Sequence, residues 1–297
     1  MEIDRSWFAD IHQPLGRVWN ALTTDQELGA WFDPGASLEY RAAGRLLAPS
    51  GTQFRGKFKE GKLAVLQERQ ELILDWPLGD IPTQVLWMVS PTKTGTRLVV
   101  NHRVPGRGAE ILPPREGPDT LFHFWFQNLT CLKYRLETGQ APARADFGRL
   151  PEKDADVSLL LPVTADRLWE LFTRPEELDR WVSKKAAVDL RVGGRFSFGW
   201  DHGPERIQAF APREFVSFNW HYRGEQTLVT FAVEPTTDPQ ETRARIRHVG
   251  FTPEDKSTLW SYYEGWLTLL HGLGLYIATG ENQSWFGTLG KKIKSKE

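Results

Sequence analysis

Two histidines stand out by position among the residues whose chemistry could matter. His102 and His248 share strand parity with the apolar Val100 and Ile246, so each is expected to project inward at the end of a strand. An imidazole there could hold the polar head of a ligand or move a proton near neutral pH. The competing reading is a histidine satisfied by the backbone or by a neighbouring helix. The second set is aromatic: Trp31, Trp76, Trp125, Trp181, Trp220 and Trp266 could line a ligand cavity with flat contact area and N–H donors, or could simply fill a core. With His102 and His248 these tryptophans are the ligand-pocket candidates, and no residue is assigned a catalytic role. Glu264 lies two places before Trp266 and could be a carboxylate for proton transfer, but His123 occupies the matching place elsewhere in the chain, so a shared mechanism is not expected and Glu264 is placed at the surface.

Other chemistry is missing from the sequence. The seven histidines, at 12, 102, 123, 202, 221, 248 and 271, show no H-x-x-x-H or cysteine-paired metal spacing. There is no G-x-S-x-G elbow, no Walker A loop and no G-x-G-x-x-G after a strand. Neither a metal nor a cofactor is expected. Arg243, Arg245 and Arg247 alternate with apolar residues and read as a solvated sheet face, not an anion site. Cys131, one position off the Leu132 stripe, reads as a packing residue.

The bulk figures are those of a globular chain, with 40% hydrophobic and 25% charged residues and 37 basic against 38 acidic side chains. No half of the chain is basic, and the only basic cluster is Lys291, Lys292, Lys294 and Lys296, so nucleic-acid binding is not expected. Met1-Glu2-Ile3-Asp4-Arg5 does not resemble a secretory signal, and the apolar stretch around Leu159-Leu160-Leu161 is far too short to span a membrane. A single cysteine excludes disulfide stapling within the chain, and a cytoplasmic location is expected.

The elements that must position these residues come in two copies. Val18-Trp19-Asn20-Ala21-Leu22-Thr23 reappears as Leu168-Trp169-Glu170-Leu171-Phe172-Thr173, and Glu27-Leu28-Gly29-Ala30-Trp31 as Glu177-Leu178-Asp179-Arg180-Trp181. Leu72 to Trp76 matches Val216 to Trp220, Thr96 to His102 matches Thr242 to His248, and Trp125 matches Trp266. Of the 13 tryptophans, four pairs (19/169, 31/181, 76/220 and 125/266) therefore belong to one unit used twice. The expected boundaries are a first domain at 1–140, a linker at 141–154, a second domain at 155–290 and a basic tail at 291–297.

Each unit is expected to open with a strand, from the shared parity of Ile3, Trp7, Ala9 and Ile11 and of Val157, Leu159 and Leu161. Two short helices follow, started by Thr24-Asp25-Gln26-Glu27 and by Thr173-Arg174-Pro175-Glu176 with the threonines as N-caps, and Trp19, Trp31, Trp169 and Trp181 should point from them into the core. A meander of strands with one buried face comes next, then a long helix carrying Phe122, Trp125, Leu129, Leu132 and Leu136, or Leu259, Tyr262, Trp266, Leu269, Leu273 and Ile277. The class is α+β, two tandem domains each with a curved antiparallel sheet wrapped around its C-terminal helix.

The order Val-Trp-x-Ala-Leu-Thr, Glu-Leu-x-x-Trp, Gly193-Gly194-Arg195-Phe196, strand-end Trp220, Thr242-Arg243 and Glu264-Gly265-Trp266 resembles the START/Bet v1-like (SRPBCC) helix-grip superfamily. Within it the resemblance is to the branch related to the C-terminal domain of the activator of Hsp90 ATPase, in tandem. In the first unit Ala43 replaces the first glycine of the Gly-Gly-Arg-Phe pattern, and His123-Phe124 replaces Glu264-Gly265. The resemblance implies a cavity between sheet and closing helix that binds a small hydrophobic molecule, without established catalysis. Its alternatives are a co-chaperone module whose partner is a chaperone, and a cyclase-like or hydrolytic enzyme using His102 or His248.

Overall fold

The computed structural model describes residues 3–48, 60–104, 118–142, 151–200, 205–222, 225–252 and 256–281, which divide into two compact units, within 1–149 and 150–284. Much of the expected linker and the whole basic tail lie outside the described residues. Among those residues no helix is long and apolar enough to cross a membrane.

The first unit runs β1 (Ile3–Ile11), α1 (Leu15–Thr23), α2 (Asp25–Trp31), β2 (Ser37–Leu38), β3 (Arg45–Leu47), β4 (Gly61–Gln67), β5 (Glu71–Asp75), β6 (Gln84–Pro91), β7 (Thr96–Val104) and α3 (Pro118–Thr138). Its strands form one antiparallel sheet in the order β1-β7-β6-β5-β4-β3-β2. The second unit repeats the plan as β8 (Ala155–Leu161), α4 (Ala165–Thr173), α5 (Pro175–Trp181), β9 (Ala187–Val188), β10 (Phe196–Ser197), β11 (Ile207–Ala211), β12 (Phe215–Tyr222), β13 (Glu225–Pro235), β14 (Thr242–Val249) and α6 (Lys256–Thr279). Here the sheet is β11-β12-β13-β14-β8, with β10-β9 a separate ribbon reached through an Arg195–Arg206 bridge.

The expected parity holds on both sheets. Leu72, Leu74, Trp76, Val85, Trp87, Leu98 and Val100 are buried in the first, and Val216, Phe218, Trp220, Val229, Phe231, Ala244 and Ile246 in the second. The opposite face is ionic, with Arg245 bonded to Asp156 and Glu234, and Arg247 to Asp154. A groove of about 370 Å³ lies on this outer face, between Phe215, Ser217, Thr230, Ala232, Glu234, Arg245 and Arg247. Its arginines are committed to those carboxylates.

Three expectations need correction. Neither threonine caps its helix through its side chain: Thr24 is the N-cap of α2 by position only, and Arg174 takes that place for α5. Both hydroxyls instead donate backwards, Thr24 to the Asn20 carbonyl and Thr173 to that of Trp169. The two helices follow one another so closely that each hydroxyl lies within reach of a carbonyl in the last turn of the first helix, which takes it in place of the cap of the second. Trp169 is only half-buried, whereas Trp19 is buried and donates from Nε1 to the Tyr40 hydroxyl at 3.0 Å. The place of Tyr40 is taken in the second unit by Leu190, which offers no acceptor. Glu264, expected at the surface, is buried, because α6 is enclosed well beyond its apolar stripe, with Thr268 and His271 also buried.

The turn before β3 shows what Ala43 costs. Its φ is +58°, against +78° for Gly193 in the second copy, and both make the same bond, Ala43 N–H to the Leu63 carbonyl and Gly193 N–H to that of Ile207. A Cβ is strained in the left-handed region. Ala43→Gly is therefore expected to stabilise the protein by about 0.5–1 kcal/mol, read from the midpoint of urea denaturation, once the extra freedom of glycine in the unfolded chain is allowed for.

Candidate functional site

In each unit the inward histidine is the middle of a polar chain that ties the sheet to its closing helix. Trp125, on α3, donates from Nε1 to His102 Nδ1 at 3.0 Å; His102 Nε2 lies 2.9 Å from Thr83 Oγ1; and Thr83 donates to the carbonyl of Trp76 at 2.5 Å. The second unit repeats this link by link. Trp266 Nε1 donates to His248 Nδ1 at 3.1 Å, His248 Nε2 is 2.7 Å from Thr227 Oγ1, and Thr227 donates to the Trp220 carbonyl at 3.2 Å.

These bonds fix the protonation of the ring. An indole N–H can only donate, so Nδ1 must be the acceptor, and a neutral imidazole then carries its proton on Nε2. The threonine oxygen accepts that proton's hydrogen bond and passes its own to the carbonyl. Every polar atom in the chain is used, and burial pushes both His102 and His248 down to about 3. General-base work near neutral pH needs a ring nitrogen with a free lone pair, and Nδ1 in each unit already faces an indole N–H.

All eight candidate residues are buried, and they fall into two roles. Trp31 and Trp181 are anchored away from the histidines, donating to the carbonyls of Ala21 at 2.8 Å and Leu171 at 2.9 Å, so each locks one short helix onto the other. Trp76, Trp125, Trp220 and Trp266 surround the histidines. Trp125 packs within 6.5 Å of the rings of Trp7, Trp76, Trp87 and His102. Trp220 meets Phe198, Trp200, Tyr262, Trp266 and His248, and donates from Nε1 to the Tyr262 hydroxyl at 2.8 Å.

Two interior groups that the sequence did not single out have an atom without a hydrogen-bond partner among the described residues. One is Trp87 Nε1 in the first unit, at a place filled by Phe231 in the second; the other is Glu205 Oε2 in the second. Glu205 is 2% exposed, and burial pushes its carboxyl up to about 7, an effect only partly offset by hydrogen bonds from its own backbone N–H and the Ser197 hydroxyl and by the charge of Arg195. Thr83 and Thr227 were also overlooked, although a repeated signal marks them: each stands seven places after a paired tryptophan, Trp76 or Trp220. Glu205 carries no such signal, since its counterpart is a glycine and the loop before it differs in length between the copies.

A family profile described as Activator of Hsp90 ATPase homolog 1-like protein matches residues 12–137 and again 162–278. Among solved structures, DynU16, from the dynemicin biosynthetic locus, is 18% identical over 90% of this chain and 96% of its own, with a TM-score of 0.39. CalU16 from Micromonospora echinospora is 23% identical over 41% of this chain and 72% of its own, with a TM-score of 0.36. The Aha1 dimer from Colwellia psychrerythraea is 15% identical over 43% of this chain and 97% of its own, with a TM-score of 0.38. No curated protein sequence matches.

Proposed function

The chain belongs to the Activator of Hsp90 ATPase homolog 1-like family, as a tandem duplication within the START/Bet v1 helix-grip superfamily, and from that premise we propose that it binds small hydrophobic molecules between sheet and closing helix. His102 and His248, in the polar chains that tie each sheet to its closing helix, position the surrounding tryptophans and do no acid–base catalysis. The observation that carries this reading is the pairing of ring-lined interiors with buried polar atoms that have no partner among the described residues. In the first unit the Trp87 N–H sits among Trp31, Phe32 and Trp125 without an acceptor. Leaving such a donor unmade costs about 1–3 kcal/mol, which a ligand carbonyl or hydroxyl would recover.

Thermal denaturation and tryptophan fluorescence of the full chain, with a panel of fatty acids and aromatic polyketides, test the reading. A ligand at a hundred times its Kd adds about 2.7 kcal/mol, a shift of about 5–15 °C for domains of this size. No response in melting temperature or emission to any member of the panel would overturn it. The family name supports a second reading, a co-chaperone, which would bind Hsp90 in a pull-down and raise its ATPase rate while ignoring the panel.

A further inference from the structure

Glu205 marks a difference in charge between the two interiors, since its counterpart in the first unit is Gly61. The pairing Ile207–Phe218 on β11 and β12, continued through the backbone bond from Asn219 N–H to the Arg206 carbonyl, sets Glu205 across from Trp220 on the inward face. The bond from Phe196 N–H to the Glu205 carbonyl places it beside Phe196 on the other flank. Residues directly opposite on antiparallel strands have Cβ atoms about 5 Å apart and share a face. In the first unit the same register, Lys62 with Asp75, puts Gly61 across from Trp76, and a Cβ built on Gly61 would lie 2.9 Å from the Trp76 ring. The indole fills that space in the first unit. In the second, the space holds a carboxylate with one oxygen unpartnered among the described residues.

The walls around it are aromatic. Phe196 stacks on Phe218 at 4.0 Å, and Trp200, half-buried, stacks on Phe198 at 4.7 Å and meets Trp220 edge-on at 6.1 Å. A carboxylate among ring faces attracts a cation twice over, through charge-assisted hydrogen bonding and through the ring quadrupoles.

We propose that the second domain takes a hydrophobic amine, its protonated nitrogen on Glu205 Oε2 and its apolar body against Phe198, Trp200 and Trp220, and that the first domain, with Gly61 in that place, does not. This rests on the reading of the interiors as ligand sites and names the ligand class for one of them. Among the described residues, the titratable groups facing Glu205 are Arg195 at the adjoining strand and, behind Trp220, His248 of β14 and Tyr262 of α6.

The test is calorimetric titration of the full chain with 2-(2-naphthyl)ethylamine and its neutral isostere 2-(2-naphthyl)ethanol at pH 8, on the wild type and on Glu205→Gln. The wild type should hold the amine about tenfold or more tighter than the alcohol, as an ammonium–carboxylate ion pair in place of a neutral hydroxyl on the same carboxylate implies, and Glu205→Gln should abolish that preference. In the wild type alone the preference should shrink at pH 5, where Glu205 is protonated, so the proposal stays testable if the variant folds poorly. Equal binding of both probes to the wild type, or an amine preference that survives Glu205→Gln, overturns the inference and leaves interior binding standing. Binding of neither probe overturns both.

Discussion

On acidification from pH 7 to pH 5, the first unit is expected to lose about 2–4 kcal/mol of stability while the second stays within about 1 kcal/mol of its starting value. The difference follows from which buried groups each unit holds. His102 titrates at about 3 in the folded protein against 6.5 unfolded, and the half-buried His123 at about 4. A histidine with a depressed folded pKa contributes stability that is present in full above 6.5 and is lost as the pH falls below it, because the unfolded chain takes up the proton first. His102 alone loses about 2 kcal/mol over this range, and His123 adds up to the same again.

The second unit has His248, depressed to about 3, and loses about 2 kcal/mol in the same way. Glu205 runs in the opposite direction. Its folded value of about 7 lies above the 4.5 of a free carboxyl, so it costs least below 4.5 and its penalty grows as the pH rises through 7. Going from pH 7 to pH 5 therefore returns about 2 kcal/mol, which offsets His248. Amide hydrogen exchange of the full chain at the two pH values, corrected for intrinsic rates, reads the units separately. Glu205→Gln should raise the stability of the second unit by up to about 3 kcal/mol at pH 7 and about 1 at pH 5, and so make it acid-sensitive like the first. Equal loss from both units in the wild type would contradict this account.

That contrast also marks what the sequence made legible. Parity placed His102 and His248 inward and put Arg243, Arg245 and Arg247 on the wet face, because a strand's period of two translates directly into burial. The tandem tryptophans revealed the duplication because large core residues keep their spacing when loops change. Glu205 was hidden for the converse reason: its burial depends on pairing between β11 and β12, a non-local register, and its own neighbourhood has no apolar alternation to betray it. The caps failed at Thr24 and Thr173 because a capping pattern describes one helix, and there the preceding helix competes for the same hydroxyl. Glu264 was misplaced because an amphipathic stripe says which face must be buried, not that the other faces are exposed.

The polar chain gives the sharpest mutational expectation. Thr227→Val keeps shape and adds apolar surface, so on area alone it should be neutral or better. It removes the one group that both accepts from His248 Nε2 and donates to the Trp220 carbonyl. The His248 Nε2–H loses its acceptor, while the Trp220 carbonyl, opposite Thr227 in the ladder, loses only the hydroxyl bond, so a loss of about 1–3 kcal/mol is expected, with a loss in the same direction for Thr83→Val in the first unit. His248→Phe should cost no more than Thr227→Val despite the larger change in chemistry, because it removes an acceptor and a donor together, leaving only the Trp266 N–H and the threonine hydroxyl, which can still bond the carbonyl. The protonation itself is visible by nitrogen NMR. His102 and His248 should stay as the neutral Nε2–H tautomer from pH 8 down to at least pH 5, with Nδ1 unprotonated. A ring that titrates near 6.5, or that carries its proton on Nδ1, would mean that the indole bond is not made, and would return the histidines to the list of groups able to move a proton.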